Sequence, residues 1–349
     1  MHLSFRHMTR REIQAAGVLA IVSALCLLWL VVSTVLAQAD AGRGQWRQAT
    51  SAPTKRTEVA AATVHDSIYV VGGFEKPGLS NLLNLSITPS VEVYDPVADQ
   101  WRSKAPMPVG LHHVGIGVVD GRLYVIGGYR QSGLNVWHPM ATVYAYDPAS
   151  DTWAERAPMP TGRGALSVTV HEGKLYAIGG YDRSTNIAAV EVYDPDRNVW
   201  TSRVPLPTPR DHLATATVSG KIYAIGGRLN GDFHRNLSVT EVYDPATDQW
   251  TRVADLPTAR SGITASVVDD KIYVFGGEGE DGTFRENEAY DPAQDVWRVM
   301  APMPSGRHGL GSAVVQGQIY VLDGGPTPGG SFSDLNEAFI PPQGGRTTP

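Results

Sequence analysis

From residue 46 onward, apolar positions recur in short bursts and not at helical spacing. Each burst is rich in β-branched and aromatic residues and closes on a glycine pair: SIYVVGG, RLYVIGG, KLYAIGG, KIYAIGG, KIYVFGG and, with Asp323 added, QIYVLDGG. The pairs fall at 72–73, 127–128, 179–180, 226–227, 276–277 and 324–325, about 50 residues apart. A stretch of small and apolar residues, such as GITASVVD, precedes each burst. A loop comes next, then Tyr-Asp-Pro at 94–96, 146–148, 193–195, 243–245 and 290–292, then Trp101, Trp153, Trp200, Trp250 or Trp297. Bursts of this length, bounded by turn residues and repeated at a fixed period, predict four short strands per unit and six units.

The joints agree with that division. Asp120-Gly121, Glu172-Gly173, Ser219-Gly220 and Gln316-Gly317 suit tight hairpins between first and second strands, because such turns need positive φ. Asp-Pro suits the opening of a type I turn: the aspartate oxygen bonds backbone and proline presets φ. The recurring carboxylates of YDPATDQW therefore read as turn chemistry and not as acid/base pairs. One further pattern asks for a decision. Gly277-Glu278-Gly279-Glu280-Asp281-Gly282 reads G-x-G-x-x-G after a strand, which is half of a dinucleotide-binding fingerprint. The succeeding stretch, TFRENEAYDP, is strand-like, whereas the fingerprint needs a helix whose N-terminus faces the pyrophosphate. The three acidic residues of the pattern would also repel phosphate.

The Gly-Gly, Tyr and Trp signature resembles the kelch-repeat family over residues 46–340. The resemblance implies an all-β, six-bladed kelch β-propeller with one four-stranded blade per repeat. The sixth unit ends in LNEAFIPP with no tryptophan, while Trp46-Arg47 stands alone ahead of the first unit. A strand around Trp46 is thus expected to complete the last blade and close the ring. Residues 40–45 read as a linker and 341–349 as a disordered tail.

Composition adds limits. The formal charge is −6. Residues 1–39 hold three arginines and one glutamate, so the remainder carries −8. An acidic body argues against nucleic acid as a partner. The single cysteine, Cys26, lies in the apolar N-terminal run. The body therefore has no disulfide, no thiolate metal site and no cysteine–tyrosine crosslink for galactose-oxidase-like chemistry. Arg6, Arg10 and Arg11 precede an apolar run over 15–37, and Ala37-Gln38-Ala39 closes it. A cleaved signal peptide explains the A-x-A pattern, and an uncleaved anchor explains the length. Either places the body outside the cytoplasm: secreted, periplasmic or held at the outer membrane face through 15–37.

Candidate chemistry sits where units can converge. Arg56, Arg163, Arg210, Arg260 and Arg307 open the first strands, with Leu111 in the second unit. In peptide-binding members of the resembled family, arginines of this type contact acidic ligands. As a recurring feature they can equally serve the scaffold by pairing with carboxylates. The loops after Gly-Gly differ between units, and the longest carry Leu79, Leu82, Leu83 and Trp137. They form either a ligand rim or a cover over their own blades. Arg228 and Asn230 open the fourth loop, and Tyr129 and Tyr181 hold the equivalent first position in others. His112, His113, His212 and His308 lie near first-strand starts, but no metal-ligand spacing supports a site. No metal or other cofactor is expected. Asn84 and Asn236 head glycosylation triplets. The expected function is a monomeric extracytoplasmic binding module for a protein, peptide or carbohydrate ligand, acidic by the arginines. The alternative is a periplasmic sugar-processing enzyme resembling the sialic-acid epimerases of the kelch fold.

Overall fold

The computed structural model describes residues 42–76 and 86–342. The N-terminal apolar run with Cys26, the loop residues Leu79, Leu82 and Leu83, the Asn84 acceptor and the tail from 343 lie outside the described residues. Between Trp46 and Pro341 the chain forms six four-stranded antiparallel sheets. Blade 1 runs through Ala60–Val64, Ser67–Val71, Val91–Asp95 and Gln100–Lys104. Blades 2 to 5 repeat that order. Blade 6 takes Gly311–Val315, Gln318–Leu322 and Asn336–Ile340 from its own repeat and Gln45–Gln48 as its outer strand. The closing strand expected around Trp46 is present.

Each recurring residue has a local reason. The Asp of Asp-Pro accepts backbone N–H groups in its own turn, as Asp95 does from Val97 and Ala98, both at 3.0 Å. The repeat tyrosine donates its hydroxyl to the residue five places on: Tyr193 to Asn198 at 2.6 Å, Tyr290 to Asp295 at 2.6 Å. The tryptophan indole N–H reaches the preceding blade: Trp153 to Ala105 O, Trp200 to Ala157 O, Trp297 to Ala254 O. Trp46 does the same toward Ala301 O at 2.9 Å, so it fills the sixth blade's tryptophan position. The core lies between neighbouring blades. Ala214, Ala216, Tyr223 and Ile225 of blade 4, for example, pack against Ile272, Val274 and Tyr290 of blade 5.

The glycine pair is a blade-to-blade contact. At Gly179 φ is +65° and a Cβ would stand 2.7 Å from Arg210 O of the next blade, so close approach and left-handed backbone both demand glycine. In blade 6 the sequence reading needs correction. Asp323 is not an insertion: at φ 55° it takes the first glycine's place, and Gly324 takes the second. The hydrogen bond from Gly324 N to Arg56 O repeats that from Gly128 N to Arg163 O. The Gly279–Gly282 stretch is a short hairpin, Glu278–Gly279 against Gly282–Thr283, leading to the strand Asn287–Asp291. No helix succeeds it.

Candidate functional site

The five first-strand arginines are fully buried, at 0% exposure. Each pairs with the glutamate of its own blade's third strand: Arg56 with Glu92 at 2.7 Å, Arg163 with Glu191 at 2.5 Å, Arg210 with Glu241 at 2.6 Å, Arg307 with Glu337 at 2.6 Å, and Arg260 with Glu288. Thr54, Thr161, Thr208 and Thr258 donate to the other oxygen of four of these glutamates. Arg163 also spends its Nε and Nη2 hydrogens on Gly179 O and Ala177 O. These guanidinium groups tie the approach to the first strand onto the second and third strands of one blade and are sealed from a ligand, so of the two expected roles the geometry favours the scaffold over the positive mouth. Blade 2 has Leu111 for arginine and, on its third strand, Tyr144 for glutamate, both buried. The pair is absent as a pair.

The convergent position lies two residues further on. Glu58, His113, Ala165, His212, Gly262 and Gly309 all have φ between 52° and 65°. Their backbones form a belt around the axis: His113 N bonds Glu58 O, Ala165 N bonds His113 O, His212 N bonds Ala165 O, Gly262 N bonds His212 O and Gly309 N bonds Gly262 O, at 2.9–3.2 Å. Below the belt the channel is lined by small or uncharged residues such as Ala60, Gly115, Ser167, Ala214, Thr264 and Gly311. Above it lies a cavity of about 190 Å³ with walls of Phe74, Trp137, Phe233 and Phe332 and a floor of Glu58, His113, Arg228, Glu278 and His308.

The floor is a continuous polar network. Glu58 lies 3.1 Å from His113 Nε2 and 3.2 Å from His308 Nδ1. Glu278 lies 3.5 Å from His308 Nδ1 and accepts from Arg228 Nη1 at 2.6 Å. Arg228 Nη2 reaches His212 Nε2 at 2.7 Å, and His212 Nδ1 reaches Asp211 Oδ1 at 2.5 Å. Burial opposes charge on Glu58, but the adjacent His113 and His308 hold its carboxyl well below the usual range. Burial pushes His113 well down and His112 down to about 4. Burial also disfavours charge on His308, but Glu58 and Glu278 outweigh it and raise this imidazole.

The predicted residues divide accordingly. Arg228 and Trp137 line the cavity. Tyr129 is buried, and its hydroxyl donates to Tyr181 O at 2.7 Å, which removes it from ligand contact. Tyr181 and Trp137 share Arg183, whose guanidinium stands 5.6 and 5.0 Å from their ring centroids. Asn230 is exposed outside the cavity, its backbone N–H donating to Asn186. The Asn236 amide is engaged by Glu278 O and Ser261. Of the acidic residues in the Gly277–Gly282 stretch, Glu278 pairs with Arg228. The four histidines fall in or beside the floor despite their scattered spacing. Glu58, Asp211, Glu278 and the aromatic walls Phe74, Phe233 and Phe332 were not anticipated. Aligning the six repeats two places after the arginine would have exposed Glu58, His113 and His212, since the other three units have Ala or Gly there.

Comparison with known proteins bears on the fold and family. The model of the KLHDC2/KLHL20/DRC7 Kelch-repeats domain matches residues 100–255 and 205–339, and that of the Kelch motif matches 55–108. Kelch-like protein terF of Aspergillus terreus is 35% identical over 127 residues, covering 36% of this chain and 27% of terF. Human Kelch-like protein 35 is 30% identical over 196 residues, covering 44% of this chain and 30% of that protein. The chain thus spans under a third of these relatives' length. A solved structure titled "Structure of YjhT" superposes with TM-score 0.69 at 17% identity, covering 82% of this chain and 95% of that one. At that identity the likeness speaks for the fold alone.

Proposed function

Because the chain belongs to the kelch-repeat family, we propose that it is an extracytoplasmic binding module that holds a protein or peptide partner on the loop face of its propeller. The observation that carries this is the axial cavity. Four aromatic side chains, one each from repeats 1, 2, 4 and 6, wall a space of about 190 Å³ above the axial belt. Cavities with aromatic walls and a few fixed polar groups are where partners seat anchor side chains. Beside it stands the hairpin Tyr129–Ser132 and Asn135–Pro139, with Leu134 at its tip 97% exposed. An apolar tip above a walled pocket suits a partner's chain laid over the mouth. The preference for an acidic ligand no longer has the five arginines to rest on. The extracytoplasmic placement rests on the basic and apolar pattern of residues 1–39.

The test is a peptide and glycan binding screen on the full chain, repeated with Trp137→Ala and Leu134→Asp. Ligands found should bind at least about tenfold more weakly to Trp137→Ala, the loss typical of a buried aromatic anchor, with the fold unchanged by circular dichroism. Equal affinity in both variants would remove the cavity and hairpin as the binding place. Glycan binding without peptide binding would change the ligand class.

One observation favours a second reading, a sugar-processing enzyme. Glu58 stands between His113 and His308 in the cavity floor, a carboxylate and imidazole set able to relay a proton. Incubation with reducing acidic sugars, with NMR of the anomeric protons as readout, tests it. Exchange no faster than without protein would end that reading.

A further inference from the structure

The hydrogen-bond network fixes the tautomers of three floor imidazoles. His112 Nε2 faces the Val136 carbonyl at 2.8 Å. A carbonyl only accepts, so His112 carries its hydrogen on Nε2 and leaves Nδ1 bare. That bare nitrogen lies 2.5 Å from His113 Nδ1, which must then be the donor. In the neutral form that burial favours, His113 Nε2 is then a lone pair, and it faces Glu58 Oε2 at 3.1 Å. Two acceptors then meet in a buried place, an arrangement that a cation, a proton or a metal ion, resolves. His212 obeys the same logic. Its Nδ1–H donates to Asp211 Oδ1 at 2.5 Å, so its Nε2 is a second bare nitrogen, now met by Arg228 Nη2.

We propose that Glu58, His113 and His212 form a binding site for one divalent transition-metal ion on the propeller axis. Their ligand atoms lie within 4.8 Å of one another. A tetrahedral ion with bonds of about 2.0–2.2 Å sets its ligand atoms about 3.4 Å apart, so the Glu58–His113 pair, now at 3.1 Å, opens slightly while the wider separations close, a side-chain adjustment. Two imidazoles and one carboxylate suit zinc or a neighbouring first-row ion and are a poor set for calcium or magnesium, which prefer all-oxygen shells. The outer partners are those of resident metal sites: His212 is backed by a carboxylate and His113 by His112, so both lone pairs are aimed. A second triplet, Glu58, Glu278 and His308, also converges. There His308 has acceptors at both nitrogens, Thr327 O at Nε2 and the two carboxylates at Nδ1, so as an imidazolium it is itself the cation that place calls for. Three protein ligands leave a fourth position open, and the cavity lies directly above Glu58 and His113. Arg228 now holds the cationic place beside His212. On metal entry it keeps Glu278 and Asp211 as partners.

This goes beyond the binding-module reading and stands whether or not a partner docks. The test uses the full chain, stripped with a chelator and then dialysed against Zn²⁺ or Co²⁺. One equivalent should be retained, and Co²⁺ should give visible absorption bands of low coordination number. The melting midpoint should rise with free metal, as mass action requires. His113→Gln and His212→Gln should each weaken Zn²⁺ by more than about 100-fold, beyond the roughly 10–100-fold loss from removing an outer partner. His171→Gln, on the first strand of blade 3, should leave affinity unchanged. Absence of stoichiometric binding in the full chain overturns the proposal, as does binding that neither variant weakens. Should a variant fail to fold, X-ray absorption of the unmodified Zn²⁺-loaded chain decides. Two nitrogens with oxygen at about 2.0–2.2 Å support the site, and a sulfur or all-oxygen shell refutes it.

Discussion

Arg210 and Glu241 sit 2.6 Å apart, the guanidinium sealed from water and the carboxylate nearly so. Removing one partner of such a pair leaves an uncompensated buried charge, which costs about 3–5 kcal/mol. Arg210→Ala should therefore lower stability by that amount in denaturant unfolding. Blade 2 indicates the remedy, because it carries Leu111 and Tyr144 at the two equivalent positions and buries both. Arg210→Leu with Glu241→Tyr should recover more than half of the loss, since replacing a whole buried pair by apolar groups is often near neutral. A double variant as unstable as the single would mean that blade 4 cannot accept blade 2's solution. Asp323 is the opposite case, a carboxylate in a glycine's place. Burial pushes it up to about 7, with Arg56 at 3.4 Å opposing and Glu92 assisting. The folded state thus holds a proton that the unfolded chain releases near pH 4. Its contribution is complete below about 4 and is lost as pH rises through about 7. Asp323→Asn keeps a residue that tolerates left-handed backbone. The wild type should therefore lose stability relative to this variant between pH 5 and 8 in thermal melts. A difference constant with pH would show that Asp323 is already charged in the folded protein.

At the level of the blade, legibility tracked repetition. Strands, turns and the tryptophan anchor recur five or six times, so each repeat confirmed the others, and even Trp46 could be placed from the tryptophan its blade lacked. The arginines show the limit of that logic. Repetition marked them as important, but not whether their hydrogens pointed to a ligand or to a glutamate on the third strand, because the pairing spans 28 to 36 residues. The informative signal was already in the pattern, since the one unit without arginine also lacks the glutamate. The floor of the cavity was harder to read. Glu58, His113 and His212 sit on one belt because six strand entrances bend through left-handed backbone toward one axis. A search for compact metal motifs passes over that meeting, whose only trace in the chain is the shared place two residues after the arginine position. The Asp323 misreading has a related cause. A glycine pair is visible at 324–325, but the fold counts from the left-handed position, where aspartate is tolerated.

The whole molecule depends on how the circle is closed. A linear stack of repeats ends in two caps, whereas a ring has none and must join its ends. Here the join is Gln45–Gln48 lying on Asn336–Ile340, continued by hydrogen bonds from Ala49 N to Asn336 O and from Ala52 N to Asp334 O. Trp46 packs 5.1 Å from Phe339 and 5.8 Å from Phe275, ring centre to ring centre. Its indole meanwhile bonds Ala301 O across the blade boundary. Removing the strand would uncover an edge of blade 6 and the side of Phe339, which is otherwise fully buried, and would lose two aromatic contacts worth about 0.5–1.5 kcal/mol each beyond their burial. The belt that carries the candidate site would suffer with it, because the hydrogen bond from Val59 N to Gly309 O crosses the same seam. Two truncations separate these effects from the mere loss of N-terminal chain. Beginning at residue 44 keeps the strand whole and should leave the melting midpoint of the propeller unchanged. Beginning at residue 51 removes it and should lower the midpoint by many degrees and broaden the transition, since blade 6 then frays ahead of the rest. Coincident melting curves for the two truncations would mean that the ring is held by its inter-blade cores alone and that the Trp46 strand is only an ornament on its rim.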